Sequence, residues 1–153
     1  LTGIGAPYWN AKCRGAIYGI TRNTRQAEIV LATLQSAGYQ TKDLIQAMGS
    51  DWKYQEIKNL RVDGGMSASD ITMQFISDIT GLPVSRPKIL ETTALGVSWL
   101  TGSYLGIYPD SDEFGESWYV DKEYLPEMDL DTSNILYTKW QAAIKSTLLF
   151  SEN

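Results

Sequence analysis

The sequence predicts an α/β fold, and three observations support this prediction. The chain has 153 residues, which is enough for one domain with a buried core. Segments of strand composition alternate with segments whose apolar residues recur at helical spacing. Glycine or proline separates most of these segments, and the order of strand, helix, strand, helix, strand, helix is typical of an α/β protein.

The first strand is predicted at 15–21, "GAIYGIT", where Ile, Tyr and Thr are mixed with Gly. Asn23 and Gln26 follow with the spacing of a capping box, in which Asn takes the place of Ser or Thr. Apolar residues at helical spacing over 27–48 then predict one long amphipathic helix, or two helices joined near Gly38.

The second strand and the second helix flank a pair of glycines. "IKNLRVD" at 57–63 predicts a short strand. The helix that follows carries apolar residues on one face over 71–79, and Ser67 or Ser69 can cap its N-terminus. Gly81 is expected to end it, because glycine readily adopts the left-handed conformation found after a helix C-terminus.

A third strand and helix are predicted next. "LPVSRPK" at 82–88 contains two prolines, which favours an edge strand. Thr92 or Thr93 is expected to open a helix that continues through "ALGVSWLTG". Small residues recur in this helix every four positions and predict a smooth face that another backbone can approach closely. These small residues are Ala94, Ser98 and Gly102.

An acidic segment precedes the last helix. From Asp110 to Asp131 the chain has nine carboxylates and one lysine. The segment lacks the spaced ligands and the glycine of an EF-hand loop, so a solvated acidic face is favoured over a calcium site. We predict a surface loop with a short helix or strand, followed by a final helix over 134–149.

Composition argues against several classes of function. A net charge of −5 disfavours a nucleic-acid partner, which needs clustered Lys and Arg. The absence of His excludes a Ser-His-Asp relay and His-based zinc sites within this chain. No apolar stretch reaches membrane-spanning length. The single Cys13 cannot form an internal disulfide, which is consistent with a reducing cytoplasm.

In "RVDGGMSASDITMQF" at 61–75, a strand runs into Gly64 and Gly65 and then into a helix. Unpaired amides and the positive end of a helix dipole suit an anion at such a junction, and glycine lets a phosphate approach without a Cβ in the way. The missing Lys excludes a Walker A loop, and the missing third Gly argues against a dinucleotide fold. The alternative is a tight strand-to-helix turn that binds nothing.

Several motifs in order resemble the FGGY carbohydrate kinases. They are "GIGAPYWNAKCRGAIYGITRNT", "GYQT", "RVDGGMSASDITMQFISDITGLPVSRP" and "ETTALGVSWLTG", and the similarity extends over nearly all of 3–125. The first motif is more similar to the glycerol kinases of that family than to its pentose kinases. The resemblance implies that 1–153 form part of the second domain of the actin-like, ribonuclease H-like ATPase fold, with a mixed sheet and packed helices.

The resemblance also implies an activity. The full-length protein is expected to phosphorylate glycerol to glycerol 3-phosphate with ATP and Mg²⁺, in the cytoplasm and as a homo-oligomer. This chain would supply part of the adenine-nucleotide site through Gly64 and Gly65, with a backbone contact from Gly65 to the phosphates. Ser69 stands where the family has an Asn near the adenine. Asp70 is an alternative partner for the base, although a first-turn carboxylate that complements the helix dipole is the simpler interpretation.

Other parts of the family's site match no position in the chain. These parts are the catalytic aspartate, the metal-binding aspartate and the residues that hold glycerol. We therefore expect a C-terminal piece without the N-terminal substrate domain, with no catalytic or metal-binding residue, and inactive when isolated. The alternatives are a kinase of another sugar or polyol in the family, and an inactive nucleotide-binding or oligomerisation fragment.

Overall fold

The computed structural model describes residues 3–51, 57–116 and 119–152, and within these ranges it is an α/β structure that begins with a helix and not with the predicted first strand. Five helices and three strands are present in these ranges, together with a single turn of 3₁₀ helix, called the 3₁₀ turn below. In chain order the elements are α1 (Gln26–Asp51), β1 (Leu60–Arg61), the 3₁₀ turn (Gly65–Ala68), α2 (Asp70–Thr80), β2 (Val84–Pro87), α3 (Thr92–Tyr104), α4 (Ser111–Glu116), β3 (Val120–Tyr124) and α5 (Leu130–Ser151).

The three strands form a mixed sheet in the order β1-β2-β3. Strand β1 is parallel to β2, with Leu60 opposite Val84, and β3 is antiparallel to β2, with Tyr124 opposite the same Val84. The mixed sheet is confirmed, but the edge position predicted for β2 is wrong, because β2 is the central strand. Its prolines are tolerated because Pro83 precedes the strand and Pro87 lies at a register shift, where the regular ladder is interrupted.

The strand predicted at 15–21 is wrong. None of these residues belongs to a strand, and the apolar side chains of Ile17, Tyr18 and Ile20 are exposed. Within the described part of the N-terminal segment, the backbone pairing is limited to an isolated bridge between Ile4 and Asn10. Strand composition favours a strand only where a neighbouring strand and a buried face are available, and none of the described strands lies beside this segment.

Helix α1 is one continuous helix of 26 residues that passes through Gly38. A Cβ added to Gly38 would lie 2.7 Å from Cδ1 of Phe75 in α2, so this glycine permits close packing and does not break the helix. The predicted capping box is displaced by two residues. The amide of Arg25 donates to the Glu28 carboxylate at 2.7 Å, which is the half of a capping box made by an acid in the first turn.

Helix α2 has the predicted ends. Ser69 is the N-cap, and its Oγ accepts from the Thr72 amide at 3.3 Å. Gly81 follows the helix with φ of 75° and donates its amide to the Ser77 carbonyl. The side chains of Phe75, Ile76 and Ile79 are buried, as predicted for this face, but Ile71, at the start of the predicted face, is 63% exposed.

The core consists of two clusters on the two sides of α2. Met73 and Ile76 pack against Val84 and Tyr124 of the sheet. On the other side, the cluster joins α2 to α5, with Tyr39 of α1 packed against it. Its buried members are Phe75, Ile79 and Tyr137. Helix α2 is therefore enclosed by the sheet on one side and by α1 and α5 on the other.

Helices α3 and α5 differ from their predictions in detail. Helix α3 begins at Thr92 as predicted, but Ala94 and Ser98 are exposed, and Gly102 is covered by the ring of Tyr108 and not by another backbone. Helix α5 begins about one turn before residue 134, because the Asp129 carboxylate caps it by accepting from the Thr132 amide at 2.8 Å.

The acidic segment contains both a short helix, α4, and a strand, β3, in agreement with the prediction of a short helix or strand. None of the described helices is long and apolar enough to cross a membrane.

The close approach at Gly38 can be tested by replacing glycines in the same helix. We expect Gly38→Ala to lower the free energy of unfolding by about 2 kcal/mol relative to Gly49→Ala, because overpacking a core contact costs roughly 1–3 kcal/mol. Gly49 has no atom within 4 Å of an added Cβ, so its substitution keeps the gain in helix propensity and adds no contact. Urea unfolding followed by circular dichroism measures both variants, and equal changes would contradict the close packing of α1 on α2.

Candidate nucleotide site

Gly64 and Gly65 lie three and four residues beyond the end of β1, where Gly64 is the N-cap of the 3₁₀ turn and Gly65 is its first residue. Gly64 has φ of 78°, a conformation that strongly favours glycine, and its amide donates to the Leu90 carbonyl at 2.8 Å. A Cβ added to either glycine would meet no atom within 4 Å. The space in front of the pair is therefore open to a ligand that touches the backbone.

The glycines lead first into the 3₁₀ turn, so the helix N-terminus expected after them lies farther along the chain, at the Ser69 cap. Helix α2 begins only at Asp70, after the turn. The turn is closed by the Ser67 amide and the Ser67 hydroxyl, which donate to the Gly64 carbonyl at 3.0 and 2.6 Å. Among the described residues, none accepts a hydrogen bond from the amides of Gly65 and Met66. These two exposed amides can donate to an anion.

Ser69 is committed to the structure of α2. Its Oγ accepts from both the amide and the hydroxyl of Thr72, at 3.3 and 2.9 Å. The Ser69 side chain is half-buried and sits between the 3₁₀ turn and α2. Its own hydroxyl proton is still available, so Ser69 can donate one hydrogen bond to a ligand beside the turn.

Asp70 faces the sheet and is held there by three donors. Lys122 Nζ lies 2.7 Å from Oδ2, and Oδ1 accepts from the Tyr124 hydroxyl at 2.7 Å and from Arg86 Nη1 at 2.8 Å. These three donors hold the pKa of the Asp70 carboxyl well below its ordinary value, and Lys122 has the largest effect, followed by Tyr124 and Arg86. Because the Asp70 carboxylate already accepts these hydrogen bonds, it is a poor substitute for an Asn side chain that binds the adenine base.

The glycine loop is tied to the start of α3. The Thr92 hydroxyl donates to the Asp63 carboxylate, and the Leu90 carbonyl accepts from the Gly64 amide. Beside these contacts, a cleft of about 350 Å³ opens at the carboxyl ends of β1 and β2. Its walls are mostly apolar, with Arg61 and Lys88 as basic members, and the glycines themselves are not among its lining residues.

A second polar centre surrounds Asp43 in α1, and the sequence reasoning missed it. Asp43 is only 4% exposed, and it accepts from the Tyr137 hydroxyl at 2.5 Å and from Trp140 Nε1 at 2.8 Å. Burial and, after it, the nearby Asp43 carboxylate raise the pKa of Tyr8 to about 12. The hydrogen bonds of Asp43 therefore join α1 to α5. The sequence did offer one sign of this centre, because Asp43 is a lone carboxylate among the apolar residues of the predicted helix.

The described residues contain no group of three Asp, Glu or Cys side chains close enough to hold a metal ion. Gly64, Gly65 and Ser69 do lie in one continuous element of loop, turn and cap. The structure brings these residues together at the carboxyl end of β1, and their assignment to a nucleotide remains a prediction.

The fold and the open glycine loop define the class of protein, since solved carbohydrate kinases have the same architecture. Plasmodium falciparum glycerol kinase with ADP matches with a TM-score of 0.80 and 31% identity, over 96% of this chain and 29% of that chain. A xylulose kinase from Lactobacillus acidophilus matches with a TM-score of 0.69 and 24% identity, over 94% of this chain and 29% of that one. The predicted fold is confirmed.

Residues 1–103 match the sequence model of a protein family, the FGGY family of carbohydrate kinases, in its C-terminal domain. The chain belongs to this family. Glycerol kinase of Roseobacter denitrificans is 52% identical over 151 residues, which are 98% of this chain and 30% of the relative. Glycerol kinase of Sinorhizobium fredii is 52% identical over 150 residues, which are 97% of this chain and 30% of the relative. The chain spans about 30% of the length of these curated relatives.

Two tyrosines, the half-buried Tyr8 and the buried Tyr124, predict a loss of stability at alkaline pH. Burial, followed by a nearby carboxylate, raises the pKa of Tyr8 and of Tyr124 from 10.0 to about 12. Their neutral forms are favoured by the fold, so their contribution to stability is complete below pH 10 and is lost as the pH rises from 10 towards about 12. Urea unfolding as a function of pH measures this loss, which Tyr8→Phe or Tyr124→Phe should reduce.

Tyr104→Phe is the control for this measurement, because Tyr104 is 91% exposed. It should leave the alkaline dependence of unfolding as it is in the unmodified chain. If all three variants had the same pH dependence, the fold would not favour the neutral forms of Tyr8 and Tyr124.

Proposed function

We propose that this chain supplies part of the adenine-nucleotide site of a glycerol kinase, which transfers the γ-phosphate of ATP to a terminal hydroxyl of glycerol. The observation that carries the proposal is the 3₁₀ turn after β1, where the amides of Gly65 and Met66 are exposed and lack an acceptor among the described residues. Phosphate oxygens are suitable acceptors for such amides. The absence of a Cβ at both glycines gives the phosphates room to approach.

Each part of the candidate site has a distinct role in this proposal. Gly64 supplies the left-handed bend, and its bond to Leu90 fixes the start of the turn. Gly65 supplies a backbone donor to the phosphates, and Ser69 donates its hydroxyl towards the adenosine side. Helix α2, anchored in the core, holds the cap and the turn in place.

The choice of glycerol as acceptor is supported by the relatives. These relatives are glycerol kinases, and they are about half identical to this chain over almost all of it. The likeness to xylulose kinases is below 25% identity and supports the fold alone. No described residue contacts an acceptor in this proposal, so specificity for glycerol is assigned to the rest of the enzyme.

Magnesium would accompany the nucleotide, where it neutralises charge on the transferring phosphoryl group. The described residues contain no cluster of carboxylates that fits the ion, so we assign no metal ligand to this chain. No catalytic residue is assigned to it either. We further propose that it is the C-terminal portion of the nucleotide-side domain, in a cytoplasmic enzyme that forms a homo-oligomer.

A hybrid enzyme tests the nucleotide role. In this hybrid kinase, the present chain replaces the matching 30% of the Roseobacter denitrificans glycerol kinase. We expect ATP-dependent phosphorylation of glycerol by the hybrid kinase, and no turnover by the present chain alone or by the relative without its matching segment. Phosphate transfer by the isolated chain would refute the proposal, as would a folded but inactive hybrid. The complete gene product, assayed with glycerol and xylulose, tests the acceptor.

The role of Gly65 is tested in the same hybrid kinase. Because Gly65 lies outside the left-handed region and has open space around it, Val fits there without strain and blocks only the approach of a ligand. Gly65→Val should raise the KM for ATP at least about tenfold, as expected for a lost hydrogen bond to a charged group, and leave the KM for glycerol unchanged. Gly49→Val is the control, and an unchanged KM for ATP in Gly65→Val would place the nucleotide elsewhere.

A further inference from the structure

The guanidinium of Arg86 in β2 connects the 3₁₀ turn to the rest of the fold. Its side chain is only 13% exposed. Nη1 donates to the Ser67 carbonyl at 3.2 Å and to Asp70 Oδ1 at 2.8 Å. Nε and Nη2 both donate to Asp121 Oδ2, at 3.1 and 2.8 Å, and the guanidinium lies 5.6 Å from the centre of the Tyr124 ring. One side chain thus joins the turn, the start of α2 and strand β3.

The turn itself has few other connections. Its exposed members Gly65 and Met66 have open space or solvent around them, whereas Ser67 is buried. Its internal bonds run from Ser67 to Gly64 and from Ser69, the α2 cap, to Met66. Besides this link to α2, two hydrogen bonds hold the turn from other elements: the Gly64 amide to the Leu90 carbonyl, before the free amides, and Arg86 to the Ser67 carbonyl, after them. The direction of the two free amides is therefore constrained on both sides, and Arg86 supplies the side-chain bond on the second side.

We propose that Arg86 is a positioning residue for nucleotide binding, which acts through the Ser67 carbonyl and holds the amides of Gly65 and Met66 in the direction of the phosphates. The inference rests on the proposed function of the turn. Arg86 itself need not contact the nucleotide, since its N–H donors are already directed to Ser67, Asp70 and Asp121. A planar fork of five N–H donors is required for this geometry, and lysine, with a single ammonium, cannot reproduce it.

Lys122 is the matched control, because it belongs to the same network and has the same charge. Its ammonium pairs with Asp70 Oδ2 at 2.7 Å and lies 4.9 Å from the centre of the Tyr124 ring. The Lys122 side chain is 47% exposed, and its contacts with Asp70 and Tyr124 lie outside the 3₁₀ turn. Removal of Lys122 therefore changes the charge around Asp70 and leaves the anchor at Ser67 in place.

The first experiment measures amide hydrogen exchange in the complete present chain. The Ser67 and Ser69 amides donate to the Gly64 and Met66 carbonyls within the turn. Arg86→Gln should accelerate their exchange about tenfold, with a smaller effect for Arg86→Lys, because a hydrogen bond from a charged donor is lost. Lys122→Gln should change it by less than about twofold, as expected for an exposed ion pair. The Gly81 amide, at the other end of α2, shows whether a change in exchange is confined to the turn.

Two outcomes of this first experiment would overturn the inference. One is unchanged exchange at Ser67 and Ser69 in Arg86→Gln. The other is an equal acceleration at Gly81, since the effect of Arg86 would then not be confined to the turn.

The second experiment measures kinetics in the hybrid kinase. Arg86→Gln should raise the KM for ATP about tenfold and change the KM for glycerol by less than about twofold, with Lys122→Gln close to the unmodified hybrid. A faster exchange of the turn without a change in the KM for ATP would show that the turn does not position the nucleotide, and would overturn the inference. Inactivity of the unmodified hybrid refutes the proposed function instead, and the exchange experiment then decides the structural role of Arg86 alone.

Discussion

The enclosure of α2 between the sheet and the helices α1 and α5 is the constraint on which the rest of this structure depends. Ile79 and Thr72 are fully buried, and Phe75 packs against Gly38 with no room for a side chain there. Close packing of this kind leaves a helix little freedom to shift or to rotate about its axis. Because Ser69 caps α2, the turn before it and the two glycines inherit that fixed position.

Polar groups inside this packing are all satisfied among the described residues, and several of them cross between elements. The Ser77 hydroxyl shares its one proton between the carbonyls of Leu82 and Tyr124, at 2.8 and 3.0 Å, and the Ser133 hydroxyl donates to the Ile79 carbonyl. These bonds connect α2 to the loop before β2, to β3 and to α5. A buried hydroxyl without such a partner would be costly, so these contacts restrict the fold to one register of helix against sheet.

The sequence predicted the elements that depend on local signals. The ends of α2 follow from Ser69 and Gly81, whose cap geometries need only their neighbours in the chain. The strand at 15–21 failed because strand formation depends on partners that local composition does not reveal. The central position of β2 was missed for a similar reason, since two prolines are compatible with a central strand when they fall at its ends.

The candidate site shows the same division. The Gly pair was visible in the sequence, because glycine in such a loop has few local alternatives. The roles of Arg86 and Asp43 were not visible, since their partners are between about 16 and 97 residues away in the chain. A side chain that acts by joining distant elements leaves no periodic pattern, and only the folded arrangement identifies it.

The electrostatics of the 3₁₀ turn place a limit on what this chain can contribute to binding. The dipole of α2 is already complemented by the Ser69 cap and by the first-turn carboxylate of Asp70, so it offers little attraction to a further anion. Asp63 adds a second carboxylate beside the glycines, and the chain carries a net charge of −5. Two neutral amides can orient a phosphate, but they cannot offset several negative charges in such surroundings. In the proposed enzyme, the turn therefore sets the position of the nucleotide, and the compensating charge comes from the metal ion bound with it and from cationic groups on the opposite side of the site.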